Sequence, residues 1–163
     1  MFQIGDLVVY GIHGVCKITE VQTQRVNRTK MEYFVLEPVT QCTSRFFVPS
    51  QNESALSKLR PILTKDEICE LLSGDASRQN CWIDDEGQRK QVYKDLIISG
   101  DRAALISMLR ALHAHKHNQI EAGKKFHISD ANFMRDAEKI IFSEFSLVLD
   151  IPYEDVESYI KIY

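Results

Sequence analysis

No stretch of this chain approaches the ~18 consecutive apolar residues of a membrane-spanning helix. Its N-terminus also lacks the charge, apolar run and small-residue cleavage site of a secretory leader. These absences predict a cytosolic protein. Cysteine is sparse: Cys16, Cys42, Cys69 and Cys81 are widely spaced and form no Cys-x-x-Cys pair. That spacing suits reduced, mostly packed thiols better than a disulfide scaffold or a zinc site. No glycine-rich phosphate cradle of either common type occurs, and there is no Gly-x-Ser-x-Gly elbow or cysteine-nucleophile signature. A single tryptophan, Trp82, stands outside any clear apolar repeat.

Histidine is the one residue type that invites a catalytic reading. His113, His117 and Glu121 share a helix face at i, i+4 and i+8. A metalloprotease helix needs its acid inside His-Glu-x-x-His, and no acid lies between these histidines. A carboxylate two turns from the first histidine does not easily reach the same ion, so the expectation is a polar helix face without metal. His127 reads as loop or cap. No cofactor is implied, and the default is a binding protein rather than an enzyme.

The chain has 163 residues, 44% apolar and 26% charged, which are the proportions of a folded globular protein. That length holds one ordinary domain or two small ones. The formal net charge of −3 argues against coating nucleic acid non-specifically, because such binding rests on neutralising many phosphates. The charge is uneven. Residues 1–62 carry 7 Lys+Arg against 5 Asp+Glu, and residues 63–163 carry 13 against 18. Any DNA contact must then be local, or recruited by a partner already on the DNA.

The first third alternates short β-rich runs with turn signals. Leu7–Tyr10, Val15–Val21, Met31–Glu37, Arg45–Val48 and Leu59–Ile62 read as strands, with Gly11 and Gly14 flanking His13 in a turn and prolines ending the third and fourth. Arg25 to Lys30 reads as a polar, basic connection, and Thr40 to Ser44 as a second polar one. Five short strands in about 60 residues predict a small SH3- or Tudor-like barrel. Such a unit either packs as a scaffold or offers a strand edge to an extended partner. Arg25, Arg28, Lys30 and Arg45 surround the third strand.

The remaining hundred residues carry helical periods. Thr64-Lys65-Asp66-Glu67 is a capping box before Ile68, Leu71 and Leu72, and Gly74 ends that helix. A loop from Ser73 to Asn80 leads through Trp82 into a second helix with Val92, Tyr93, Leu96 and Ile97, stopping near Gly100. Asp101 caps a third, striped by Leu105, Met108, Leu109 and Leu112, which ends at Gly123. Ser129-Asp130 starts a fourth, and Pro152 opens a last short one. The expected class is α+β in two domains: a small barrel over 1–62 and a compact all-α bundle over 63–163.

Phe2-Gln3-Ile4-Gly5-Asp6-Leu7-Val8-Val9-Tyr10-Gly11-Ile12-His13-Gly14-Val15 resembles the opening of the CarD family of bacterial transcription regulators. Glu32–Leu36 and Val48-Pro49 fit the later strands of the same module. In the helical half the likeness continues through Trp82, Ser99-Gly100-Asp101, Ser129-Asp130, Ala137–Ile140 and Glu144-Phe145. The N-terminal motif is also similar to the RNA-polymerase-interacting domain of transcription-repair coupling factors. The helical half points instead to the short, stand-alone CarD-like regulators.

The resemblance implies a division of labour. The β module would dock on the RNA polymerase β subunit, partly through a strand edge, using Arg25, Tyr33, Val35, Arg45 and Phe47. The helical domain would reach promoter DNA at the upstream edge of the melted bubble, where Trp82 wedges at the minor groove. Arg89, Lys90 and Lys94 would hold the neighbouring phosphates, with Lys124 and Lys125 as weaker contacts. Two departures from the family pattern stand out. Many relatives carry arginine where this chain has Phe47, the nearest cation here being Arg45. Asp84, Asp85 and Glu86 also follow the tryptophan, where basic residues are usual. The alternative reading is a β-barrel adaptor with no DNA role, in which Trp82 is a packed lid.

Overall fold

A computed structural model of the chain describes residues 1–40 and 43–163. The class is α+β, an antiparallel five-stranded sheet followed by helices. Two compact units divide the chain, Met1–Ile62 and Leu63–Tyr163. Among the described residues no helix is long and apolar enough to cross a membrane.

In the first unit, β1 (Leu7–Tyr10), β2 (Val15–Val26), β3 (Thr29–Pro38), β4 (Phe46–Pro49) and β5 (Leu59–Pro61) pair in the order β4-β3-β2-β1-β5. None of the described ladders joins β4 to β5. Gly14, at φ 73, accepts the backbone that β-branched residues avoid and lets β1 turn back as β2. A register shift between Ile18 and Glu20 interrupts the β2–β3 ladder. Alternation then sends Val8, Cys16, Ile18, Leu36, Val48 and Leu59 to one face, where Phe34, Phe46 and the short helix α1 (Glu53–Leu56) pack on them.

The basic stretch from Arg25 to Lys30 is not a loop. β2 and β3 continue through it, with Arg25 opposite Lys30 and Val26 opposite Thr29. Only Asn27 and Arg28 turn, at φ 50 and 67, which is the two-residue hairpin geometry that matches strand twist. The residues are polar because this end of the hairpin is exposed on both faces, so no apolar alternation marks it as strand.

The second unit begins with α2 (Lys65–Ser73), whose capping box is closed: Glu67 N–H donates to the Thr64 hydroxyl, and Thr64 N–H donates to the Glu67 carboxylate. A short 3-10 turn, Asp75–Arg78, replaces the expected loop. Helices α3 (Glu86–Ser99), α4 (Arg102–Glu121), α5 (Ile128–Leu149) and α6 (Val156–Ile162) follow. Asp85 and Asp101 cap α3 and α4 through their carboxylates. Gly100, in the left-handed region, ends α3. The core joins Ile68, Leu72, Tyr93, Leu105, Leu109, Ile141 and Phe145.

Two details of the helical expectation change. Helix α5 starts at Ile128, so Asp130 lies inside its first turn and is fully buried, rather than capping from solvent. On α3 the buried phase is Arg89, Tyr93 and Ile97, whereas Val92 is exposed. Among the described thiols, Cys16 is buried and Cys69 and Cys81 are half-buried, and none of the three is in a disulfide. Cys42 lies outside the described residues.

Candidate functional site

The two candidate surfaces, one in each unit, are built on different physics. In the β unit, period-two alternation sorts the predicted contacts. Phe34 and Leu36 face the core, so Tyr33, Val35 and Glu37 face the other way. Phe47 sits opposite Val35 and shares that outer face. Arg45, just before β4, places its Nε 2.9 Å from Glu37 Oε1, with 57% of its side chain exposed. Phe47 is 45% exposed on this short edge strand.

The other two predicted residues do not add to this exposed surface. Val35 shares the outer face but has no accessible surface, so it supports Phe47 and offers nothing itself. Arg25 has the parity of Thr23 and Lys30, opposite to that of Gln22, Gln24, Met31 and Tyr33. It is exposed near the hairpin end on the other face of the ribbon. The structure therefore brings Tyr33, Arg45 and Phe47 together, with Val35 beneath them, and leaves Arg25 out. Among the described residues β4 pairs only with β3, which leaves its other side as a short strand edge ended by Pro49.

In the helical unit, the Trp82 segment is tightly held. Asn80 Oδ1 accepts the Trp82 backbone N–H at 3.0 Å, and the indole Nε1–H donates to Asp84 Oδ1 at 3.0 Å. The ring stacks on His115 of α4, with centroids 3.8 Å apart and planes 21° off parallel. The Arg89 guanidinium carbon lies 4.5 Å from the indole centroid, a cation–π distance. Burial pushes the His115 pKa down against the opposing charge of Asp130, with repulsion from Arg89 and His127 adding to the lowering. The indole remains half-buried, with part of its surface open.

Arg89, expected to hold a phosphate, is turned inward instead. Its Nε and Nη2 donate to the two carboxylate oxygens of Asp130 at 2.9 and 3.0 Å, and its Nη1 donates to the carbonyls of Ile83 and Asp84. It is 3% exposed and Asp130 0%, so this is a buried bidentate pair whose partners cannot be spared. The contact ties the start of α5 to the chain just after Trp82. Nearby, burial raises the Tyr93 pKa, and its hydroxyl donates to the Cys81 carbonyl at 3.1 Å.

The remaining cations are at the surface. Lys90 pairs with Glu86 one turn back, at 2.6 Å. Lys94 is exposed beside it, and the two line a shallow groove of about 310 Å³ with Gln91, Ser129, Asn132 and Phe133. Lys124 and Lys125 are exposed between α4 and α5. The three acids after the tryptophan are each engaged within the unit, since Asp84 holds the indole, Asp85 caps α3 and Glu86 pairs with Lys90. The Lys90 ammonium lowers the Glu86 pKa, keeping that carboxylate ionised.

Asp130 and His115 are the site residues that sequence reading missed. The signal for Arg89 was present, because it falls on the Tyr93–Ile97 phase of α3, where a cation must find a buried acid. His115 had no comparable mark. Of the other histidines, His113 Nε2 lies 2.8 Å from Glu138 Oε1, and His117 pairs with Glu121 at 3.2 Å.

Comparison with known proteins bears on the first surface. Residues 2–62 match the family model described as the CarD-like/TRCF RID domain. The chain is also similar to the Bacillus subtilis (strain 168) protein named "Putative transcription factor YdeB". That relative is 24% identical over 163 residues, covering 98% of this chain and 99% of its own length.

Proposed function

We propose that this CarD-like protein regulates transcription as a two-part adaptor. Residues 1–62 form a Tudor-like module that docks on the RNA polymerase β subunit. Residues 63–163 then carry Trp82 to promoter DNA at the upstream edge of the bubble and lengthen the life of the open complex. The observation that carries the reading is the family match over 2–62, coupled to one outer face that offers Tyr33, Arg45 and Phe47. A half-exposed aromatic with a charged neighbour beside an open strand edge suits a partner strand with an apolar side chain and an acid near Arg45.

On the DNA side, the support is a part-exposed indole held rigid from below. A ring fixed by His115, Asp84 and Arg89 loses little entropy on meeting an unstacked base step. Lys94, Lys124 and Lys125 replace Arg89 as the phosphate contacts, with Lys90 available once Glu86 releases it. A handful of such contacts gives weak, salt-sensitive DNA affinity alone, so polymerase docking must supply the local concentration.

The same packing favours a second reading, an adaptor with no DNA role in which Trp82 closes the Arg89–Asp130 pair off from water. One experiment addresses the docking step shared by both. With RNA polymerase immobilised, the full chain is expected to bind saturably, and Phe47→Asp and Arg45→Glu to weaken binding by roughly tenfold or more each. Unchanged binding by both variants would remove the outer face of β3 and β4 as the docking surface. A full chain that does not bind polymerase at all would remove the proposed function.

A further inference from the structure

An apolar-floored recess in the helical unit has no part in either surface. Helices α4, α5 and α6 enclose a cleft of about 540 Å³, within the size range of small-molecule sites. Its floor is apolar, from Leu109, Met134 and Ile160, which are 1%, 8% and 5% exposed.

The rim carries unequal charge. Three cations, Arg110, Lys116 and Lys161, stand against two carboxylates, Glu138 and Glu157. Both acids already have partners: His113 Nε2 lies 2.8 Å from Glu138 and its Nδ1 3.6 Å from Glu157, which also pairs with Lys161. The cations Arg110 and Lys116 are different. Arg110 donates to two carbonyls, Ser77 O at 3.1 Å and Ile160 O at 3.3 Å, so dipoles rather than a carboxylate hold it. Burial and the nearby Arg78 charge both lower its pKa, as expected for a cation without a neutralising acid. Lys116 is half-buried and makes no hydrogen bond or close ion pair among the described residues; its charge acts on Glu157 only at longer range, as one of the smaller causes that lower that carboxyl's pKa.

We propose that this cleft binds a small amphiphilic anion, with its apolar body on Leu109, Met134 and Ile160 and a carboxylate or phosphate head between Arg110 and Lys116. An apolar floor alone would accept any hydrophobe. The two cations select charge, because an anionic head gains charge-assisted hydrogen bonds that a neutral head lacks. A cationic head would be repelled by the same pair. The site depends on neither Trp82 nor the outer face of the β unit, so it stands or falls independently of the proposed function.

Calorimetric titration of the full chain with decanoate, decyl phosphate, decanol and decyltrimethylammonium tests this, each kept below its micelle concentration. Saturable one-to-one binding of at least one of the two anions is expected. Decanol should bind roughly tenfold more weakly, the loss that follows from removing a charged hydrogen bond. Which anion binds better reports whether the head is carboxylate or phosphate. Arg110 also braces two carbonyls, so the diagnostic variant is Lys116→Glu, a half-exposed position without a bonded partner. That variant should lose roughly tenfold or more in anion affinity. Methyl resonances should locate the ligand: Met134 shifts on titration, whereas Met31 does not. Decanol binding as well as the anions, a preference for the ammonium, no saturable anion binding, or anion affinity unchanged in Lys116→Glu would each overturn the proposal.

Discussion

Arg45 beside Phe47 and Arg89 beside Trp82 pair the same two chemical types, a guanidinium and an aromatic ring, with opposite consequences. Arg45 reaches Glu37 in the open, with 57% of its side chain exposed. An exposed pair of this kind contributes about 0–1 kcal/mol, so its carboxylate can be exchanged for a partner's at little cost. Arg89 is desolvated, and its donors are committed to Asp130 and two carbonyls. There the cation serves the fold, fixing the ring on which the proposed DNA contact depends. A charge beside an aromatic is thus no interface signal until its burial is known. The two surfaces divide on that point: the β unit exposes its charge, and the helical unit exposes part of its ring.

The sharpest way to break the comparison is to remove the acid that Arg89 needs. Asp130→Ala should cost about 3–5 kcal/mol, because it strands a buried guanidinium. Urea unfolding followed by Trp82 fluorescence, which reports the helical unit alone, measures it. The double change Arg89→Met with Asp130→Leu should recover most of that loss, since no charge is then left buried. A cost below about 1 kcal/mol for Asp130→Ala would mean that the pair is not the brace described, for that is the range of exposed pairs.

Trp82→Ala comes next. The indole is only half-buried, so the loss should fall below the ~3–5 kcal/mol of a fully packed ring. Stacking on His115 and the Arg89 contact suggest about 2 kcal/mol. A chain that is stable but inactive on promoters would separate contact from packing. Arg45→Ala should change stability by no more than about 0.5 kcal/mol in urea unfolding while weakening polymerase binding. A large stability loss there would erase the contrast between the two arginines.

The smallest expected effect is one of pH. His115 has its folded pKa pushed below the ordinary histidine value, chiefly by burial. In the window between that lowered pKa and the unfolded value of about 6.5, the unfolded chain binds more protons than the folded one. Stability therefore rises with pH through this window and is lost as pH falls through it. Protonation of the stacked imidazole should alter Trp82 fluorescence with a midpoint below about 6.5, as expected for a histidine on that side of its ordinary pKa. His115→Gln should abolish that step. A midpoint at or above about 6.5 would contradict the stacked, desolvated geometry.

Much of the architecture was legible because it rests on local rules. The Thr64 capping box, Asp101 and Gly100 act within one turn of helix, and the core strands alternate between buried and exposed residues. The hairpin end from Arg25 to Lys30 escaped because both of its faces are wet, which leaves no period-two signal. Parity within each strand groups Tyr33 with Val35 and Arg45 with Phe47, but the register that sets all four on one face, and the depth of Val35, were not readable. The Arg89–Asp130 pair spans 41 residues, and no local rule joins them. The tryptophan could be singled out from sequence, but its platform, His115 on a different helix, could not.

The lifetime of a polymerase–promoter open complex, challenged with a competitor after the complex forms, tests the two-part account most directly. The full chain should lengthen that lifetime. Trp82→Ala should bind polymerase as tightly as the unmodified chain yet give no lengthening, while Phe47→Asp should fail at concentrations where the unmodified chain works. Lengthening by Trp82→Ala equal to that of the unmodified chain would contradict the account and leave the helical unit without its proposed DNA contact.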